Sequence, residues 1–102
     1  MILRVRTTPE ADAQIREVDR WWRMNRTASP SLFADELAAS FEMVGHAPNI
    51  GRRYRRSPIP GTRRLLLSGT RYHVYYVPLA DDIRVIAVWH AQRGVGPPLR
   101  AS

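Results

Sequence analysis

Three apolar runs crowd the last third of the chain, Leu65–Leu67, Tyr72–Val77 and Ile83–Trp89, and the gaps between them are too short for anything but hairpins. The gaps are Ser68-Gly69-Thr70 and Leu79-Ala80-Asp81-Asp82, and the runs are rich in β-branched, aromatic and aliphatic residues, so this region reads as a three-stranded antiparallel meander. The last run is apolar at every position except Arg84, the pattern of a central strand buried on both faces.

Upstream the periodicity changes. Ile2 to Arg6 alternates Ile2, Arg4 and Arg6 with Leu3 and Val5, which suits a short strand with one buried face. Thr8-Pro9-Glu10 then combines an N-cap residue, a proline at the first helical position and an acid in the first turn. Ala11, Ile15, Val18 and Trp22 follow on one helical stripe, which Trp21 is expected to widen. Ser29-Pro30 repeats the start signal, so a second helix is expected from about Ser31, with Phe33, Leu37, Phe41 and Val44 as its apolar stripe and Gly45 as its stop. A short polar link makes the two helices an antiparallel hairpin.

From Ala47 to Gly61 the chain holds Pro48, Gly51, Pro58, Pro60 and Gly61, which predicts a long loop without a regular element. The predicted architecture is α+β in the order β-α-α-β-β-β, with the helical hairpin packed on one face of a small, mainly antiparallel sheet and the other face left open. A chain of 102 residues suits a single domain, with residues 94–102, which are rich in Gly and Pro, as an irregular tail.

Charge narrows the partners. Net charge is +7 and all sixteen cations are Arg, a residue that grips phosphate or carboxylate bidentately but does not act as an acid or base near neutrality. Arg52, Arg53, Arg55, Arg56, Arg63 and Arg64 fall within thirteen residues that contain no acid, so an anionic partner is expected there. The absence of Cys excludes disulfides and thiolate chemistry, and His46, His73 and His90 have no acid at ligand spacing, so no metal or other cofactor is expected. With no apolar run of leader or membrane-span length, the expected address is the cytoplasm, with no membrane partner.

The run "TRRLLLSGTRYHVYYVPLADDIRVIAVWHAQR", from Thr62 to Arg93, together with the element order and the chain length, resembles the toxins of type II toxin–antitoxin pairs in the RelE/ParE superfamily. Their shared pattern is a basic and aliphatic strand, a Tyr-rich strand, an acidic turn, and an aliphatic strand that ends near His and Arg. The resemblance implies a cognate antitoxin, a hetero-oligomer with it, and contact with operator DNA only through that antitoxin. Trp21, Trp22, Arg63, Arg64, Leu65 and Tyr75 are the antitoxin-binding candidates.

The superfamily contains ribosome-dependent mRNA endonucleases and inhibitors of DNA gyrase, and the residues must separate them. The nuclease pattern wants cations along the second strand, after the Tyr that opens the third strand, and at the end of the last strand. Arg64 keeps one of these, but Leu66, His73 and Ala91 stand at the others. A substitute nuclease would use Arg64, Tyr76, His90 and Arg93, with His90 or His73 as the titrating group. The Trp89-His90-Ala91-Gln92-Arg93 ending and the Pro-rich tail resemble the ParE-type branch more closely, which implies a gyrase inhibitor that performs no chemistry itself. Its target-binding candidates are Arg52, Arg53, Arg55, Arg56, Arg93 and Arg100. Outside the superfamily the rival is a basic DNA-binding module, which the chain serves poorly because both helices spend their apolar faces on packing.

Overall fold

The computed structural model describes residues 2–100. Its elements run β1 (Arg4–Thr7), α1 (Pro9–Asn25), α2 (Leu32–His46), β2 (Arg52–Arg53), β3 (Arg63–Leu67), β4 (Tyr72–Pro78) and β5 (Asp82–His90). The strands form one sheet in the order β1-β5-β4-β3-β2. All pairings are antiparallel except that of β1, which lies parallel to β5 after the chain has crossed through both helices.

The meander forms as its residues predict. β4 alternates cleanly: Tyr72, Val74 and Tyr76 face the helices, while Tyr75 and Val77 face away, as a period of two requires. β5 begins in the same way, with Ile83 and Val85 toward the helices. A bulge then intervenes, since Tyr75 pairs with Ala87 but Tyr76 pairs with Val85, leaving Ile86 as the extra residue. Ile86 and Ala87 therefore both face away from the helices, Val88 returns to the helix side, and Trp89 is directed to the opposite face. The Val88 N–H, beside the bulge, is taken up by the Gln14 side chain at 2.8 Å.

Helix α1 begins as its signals indicate, with the Thr8 hydroxyl accepting the Ala11 N–H at 3.1 Å and Pro9 in the first turn. Such a cap contributes about 1 kcal/mol. Ala11 is fully buried, and Ile15, Val18 and Trp22 line the edge of the core. Trp21 does not widen that stripe: it is 44% exposed, under the guanidinium of Arg26 at 5.3 Å. Helix α2 sends Phe33, Leu37 and Val44 into the core, each such buried side chain contributing roughly 1.5–3 kcal/mol.

Gly45 does not end α2. The helix continues to His46, and Gly45 is buried where the chain leading into β1 crosses it, with its carbonyl accepting the Leu3 N–H at 3.0 Å. A Cβ there would stand 2.9 Å from the Leu3 carbonyl oxygen. The glycine permits a close backbone approach rather than a left-handed cap.

Two further expectations are corrected. The Ala47–Gly61 segment contains a regular element after all, the two-residue edge strand β2, held to β3 in the register Arg52–Arg64 and Arg53–Arg63. The face of the sheet away from the helices is also not open. Tyr54, Ile59, Trp89 and Leu99 pack over Tyr75, Val77, Ile86 and Ala87, so the loop and the tail cover part of it. Four buried side chains on that face needed a lid, and no helix was left to supply one. The tail is irregular from Gly94 to Arg100, and its last two residues, Ala101 and Ser102, lie outside the described residues.

The turns are tied to the helices by side chains. The carboxylate of Glu36 on α2 accepts from Gly69 N–H at 2.7 Å, Thr70 N–H at 2.9 Å and the Thr70 hydroxyl at 2.8 Å. That bond set fixes the β3–β4 turn, whose last residue, Arg71, takes a positive φ of 67°.

Candidate functional site

Cross-strand neighbours share a face of a sheet, and opposed like charges destabilise it. Strands β2 and β3 oppose Arg52 to Arg64 and Arg53 to Arg63, a two-by-two ladder of guanidinium groups. One of the four is occupied within the fold: Arg63 donates to the carbonyls of Gly51 at 2.7 Å and Asn49 at 3.2 Å. Among the described residues the ion pairs are Arg6–Asp82 at 3.5 Å and Arg23–Asp19 at 3.1 Å, so the ladder has no carboxylate.

Next to the ladder, on the face away from the helices, lies a groove of about 420 Å³. The loop supplies one wall through Arg53, Tyr54, Arg55 and Arg56, and the end of β5 with the tail supplies the other through Ala91, Arg93, Gly94 and Gly96. Arg64, His73, Tyr75 and Trp89 lie between them. Two of the cations are braced on rings: Arg64 sits 5.2 Å from the Tyr54 centroid and Arg93 sits 4.6 Å from that of Trp89. Stacking of this kind holds a guanidinium plane in place while leaving its N–H edges free. Tyr54 in turn stands edge-on to Tyr75 at 5.0 Å, and the Trp89 indole N–H donates to the Val95 carbonyl at 2.9 Å, which anchors the tail.

His73 lines this groove together with Arg64, and burial, then the charges of Arg64 and Arg71, push its pKa below the ordinary histidine value. Both effects favour the uncharged ring. Leu66 pairs directly with His73, so the two non-cationic residues that depart from the nuclease pattern lie side by side, and Ala91 lines the groove nearby.

Of the four residues of the substitute nuclease, Arg64, His90 and Arg93 line the groove and Tyr76 does not. Tyr76 is fully buried on the helix side, where its hydroxyl donates to the Pro48 carbonyl and accepts from the Gly51 N–H, both at 2.8 Å. Burial raises its pKa, with the Gly51 bond and Arg63 opposing. His90 borders the groove, but its ring is edge-on to Tyr72 at 4.9 Å and its Nδ1 accepts the Gln92 N–H at 3.2 Å. Arg64 and Arg93 face the groove on the other side of the sheet from the Tyr76 ring.

Of the target-binding candidates, Arg53, Arg55, Arg56 and Arg93 line the groove, Arg52 is exposed on the adjoining edge strand, and Arg100 is exposed at the end of the described tail. The antitoxin-binding candidates are spread over several surfaces. Trp22 packs on the core and donates its indole N–H to the Ser29 carbonyl at 2.8 Å, with Trp21 outside it. Leu65 packs against the helix-side core, Arg63 holds the loop, and only Arg64 and Tyr75 belong to the groove. Tyr54 was not singled out by sequence reasoning, although an aromatic residue interrupting a run of arginines was the available signal. Among the described residues no three His, Cys, Asp or Glu side chains gather at a possible metal site, and no helix is long and apolar enough to cross a membrane.

Comparison with known proteins supports the architecture. The chromosomal ParDE toxin–antitoxin system from P. aeruginosa includes a chain of similar structure, with a TM-score of 0.70 over 89% of this chain and 98% of that one. At 15% identity that likeness concerns the fold alone. No curated protein matches the chain significantly. The family model of the ParE toxin of the type II toxin–antitoxin system parDE matches residues 5–94, nearly the whole of the sheet and both helices. The chain therefore belongs to the ParE family of type II toxin–antitoxin toxins.

Proposed function

We propose that this toxin acts by binding DNA gyrase and blocking it, without chemistry of its own, and that a cognate antitoxin neutralises it. The observation that carries this reading is the distribution of charge in the groove. Its walls are cationic, through Arg53, Arg55, Arg56 and Arg93, while its middle holds a single cation, Arg64, and His73 with Leu66 alongside and Ala91 nearby. Cleavage of RNA requires fixed cations on the reacting phosphate and an acid–base pair within hydrogen-bond reach of it. His73 is able to accept a proton, but Tyr76 is locked under the loop on the other side of the sheet, so the acid–base pair is not assembled, whereas the exposed arginines supply contacts for an anionic surface.

A family of toxin–antitoxin pairs implies an antitoxin as partner, and an acidic, amphipathic segment suits a basic toxin of this shape. Operator DNA is reached through that antitoxin, because neither helix of the toxin presents a uniformly cationic face: Glu10, Asp12, Glu17 and Asp19 interrupt the arginines of α1.

Purified toxin, added in parallel to a gyrase supercoiling reaction and to a ribosome programmed with mRNA, tests the reading. Loss of supercoiling with intact message is the expected result. Cleavage of the message in register with the ribosomal A-site codon would overturn it. Arg55→Ala with Arg56→Ala is expected to weaken gyrase inhibition at least tenfold, a loss of about 1.4 kcal/mol of binding.

A further inference from the structure

The groove is more than a positive surface. Arginines line it from both sides, Arg53, Arg55 and Arg56 in the loop wall and Arg93 in the tail wall, with Arg64 between them. None of these five has a carboxylate within ion-pair distance among the described residues. Two have their guanidinium carbons over aromatic rings, Arg64 over Tyr54 and Arg93 over Trp89, and the fold sustains the cross-strand Arg52–Arg64 pair beside them. Unbalanced like charges in register favour an arrangement in which an anion lies between them. The preorganised N–H edges match phosphate, which accepts two parallel bonds from a guanidinium.

The shape decides which phosphate. Proteins that read duplex DNA insert a helix or a two-stranded ribbon into a groove of the nucleic acid. This face is concave and has no element standing out from it, so it suits a chain that lies in it. At about 420 Å³ the groove is on the scale of a small-ligand site and takes a short stretch of one strand. Guanidinium planes backed by rings also offer surfaces on which unpaired bases stack.

We propose that the groove between the Arg53–Arg56 loop and the Arg93–Gly96 tail binds the phosphodiester backbone of a single nucleic-acid strand directly, without the antitoxin. This goes beyond gyrase inhibition and does not depend on it, since the binding is measured on the toxin alone.

The test is fluorescence anisotropy of labelled twelve-residue oligothymidylate, oligouridylate and a duplex of equal length, titrated with the toxin over a series of salt concentrations. Five phosphate contacts on a single strand predict a slope of log K against log salt of roughly −3 to −3.5. The variant Arg64→Gln/Arg93→Gln is expected to weaken single-strand binding at least tenfold and to flatten the slope by about 1.4. The variant Arg16→Gln/Arg20→Gln, which removes two exposed cations of α1 and so the same charge, is expected to change neither by more than about threefold in affinity or ~0.5 in slope. Circular dichroism melts of both variants confirm that they are folded.

Binding of either oligonucleotide in this pattern supports the proposal, and the preferred one identifies the strand as DNA or RNA. Three results would overturn it: no single-strand binding by the wild type at low salt, equal losses in the two variants, or duplex binding as tight as that of the single strand. Electrophoresis of the oligonucleotides after incubation separates this proposal from the preceding one. Cut strands would sink the non-chemical reading and leave the groove assignment standing, whereas uncut strands with no gyrase inhibition would sink gyrase as the target and leave it equally intact.

Discussion

Replacing Tyr76 by Phe removes one oxygen atom from the centre of the molecule, and its consequence can be worked out from the bonds that oxygen makes. The hydroxyl accepts the buried Gly51 N–H and donates to the Pro48 carbonyl, both at 2.8 Å, so it joins the end of the α2–β2 connection to the middle of β4. Phe leaves the Gly51 donor without a partner, at a cost of about 1–3 kcal/mol. The Pro48 carbonyl belongs to a half-buried residue, and its lost bond costs about 0.5–1.5 kcal/mol. The sum is about 1.5–4.5 kcal/mol, which for a domain of this size lowers Tm by roughly 10–25 °C. Thermal melts by circular dichroism and urea titrations at 25 °C measure it. Tyr75→Phe is the control: the Tyr75 hydroxyl makes no comparable pair of bonds among the described residues, and its loss is expected to cost under about 0.5 kcal/mol. A Tyr76→Phe protein as stable as the wild type but unable to arrest growth would refute the reasoning, because the hydroxyl would then be acting on a target rather than on the loop.

Gly45→Ala is expected to destabilise by about 1–3 kcal/mol although Ala is the better helix former, because the new Cβ meets the Leu3 carbonyl oxygen at 2.9 Å; an unchanged or raised urea midpoint would count against the crossing as described. Glu36→Ala releases three hydrogen bonds from the β3–β4 turn and is expected to cost about 2 kcal/mol, read as faster amide exchange at Gly69 and Thr70 before any global unfolding. His73 carries a pH dependence whose sign is fixed by its lowered pKa: the unfolded chain binds the proton more readily, so stability falls as pH drops through the ordinary value of 6.5 toward the lower folded value. His73→Gln is expected to flatten that fall between pH 7.5 and 5.5, and parallel stability profiles for the two proteins would refute it.

Much of the fold is written locally. Thr8-Pro9 marks the start of α1 because capping and proline geometry act within a few residues, and the Ser68–Thr70 gap can only be a turn; α2 starts at Leu32, near where Ser29-Pro30 predicts, but its N-cap is Ser31, whose side chain makes no capping bond. What escapes sequence reading is set by partners distant in the chain. Gly45 carries the usual signature of a helix stop, but the crossing of Leu3 gives it a different use. β2 has two residues and no periodicity, and it exists because Arg52 and Arg53 find the edge of β3. The second face seemed open because the segments that cover it, Tyr54 to Ile59 and the tail through Leu99, lack the regular spacing that identifies a packing element.

The site follows the same division. The arginine run is visible in the sequence, and so is the absence of a cation at Leu66, His73 and Ala91, because both are matters of composition at a position. The groove that arranges them depends on a single extra residue. Strict alternation from Ile83 and Val85 would turn Trp89 toward the helices; the bulge at Ile86 turns it to the other face instead. There Trp89 supports Arg93 and holds the tail through the Val95 carbonyl, and Gly96 of that tail passes so close to the Tyr54 hydroxyl that a Cβ would collide with it. Tyr54 in turn supports Arg64. One irregular step in β5 thus connects the tail wall, the loop wall and the cation between them through two aromatic rings, so that arginines from two distant parts of the sequence are brought together before any partner arrives. Ordering long side chains on binding costs about 0.5–1.5 kcal/mol each, and bracing Arg64 and Arg93 in advance reduces that cost where the groove is most exposed to its ligand.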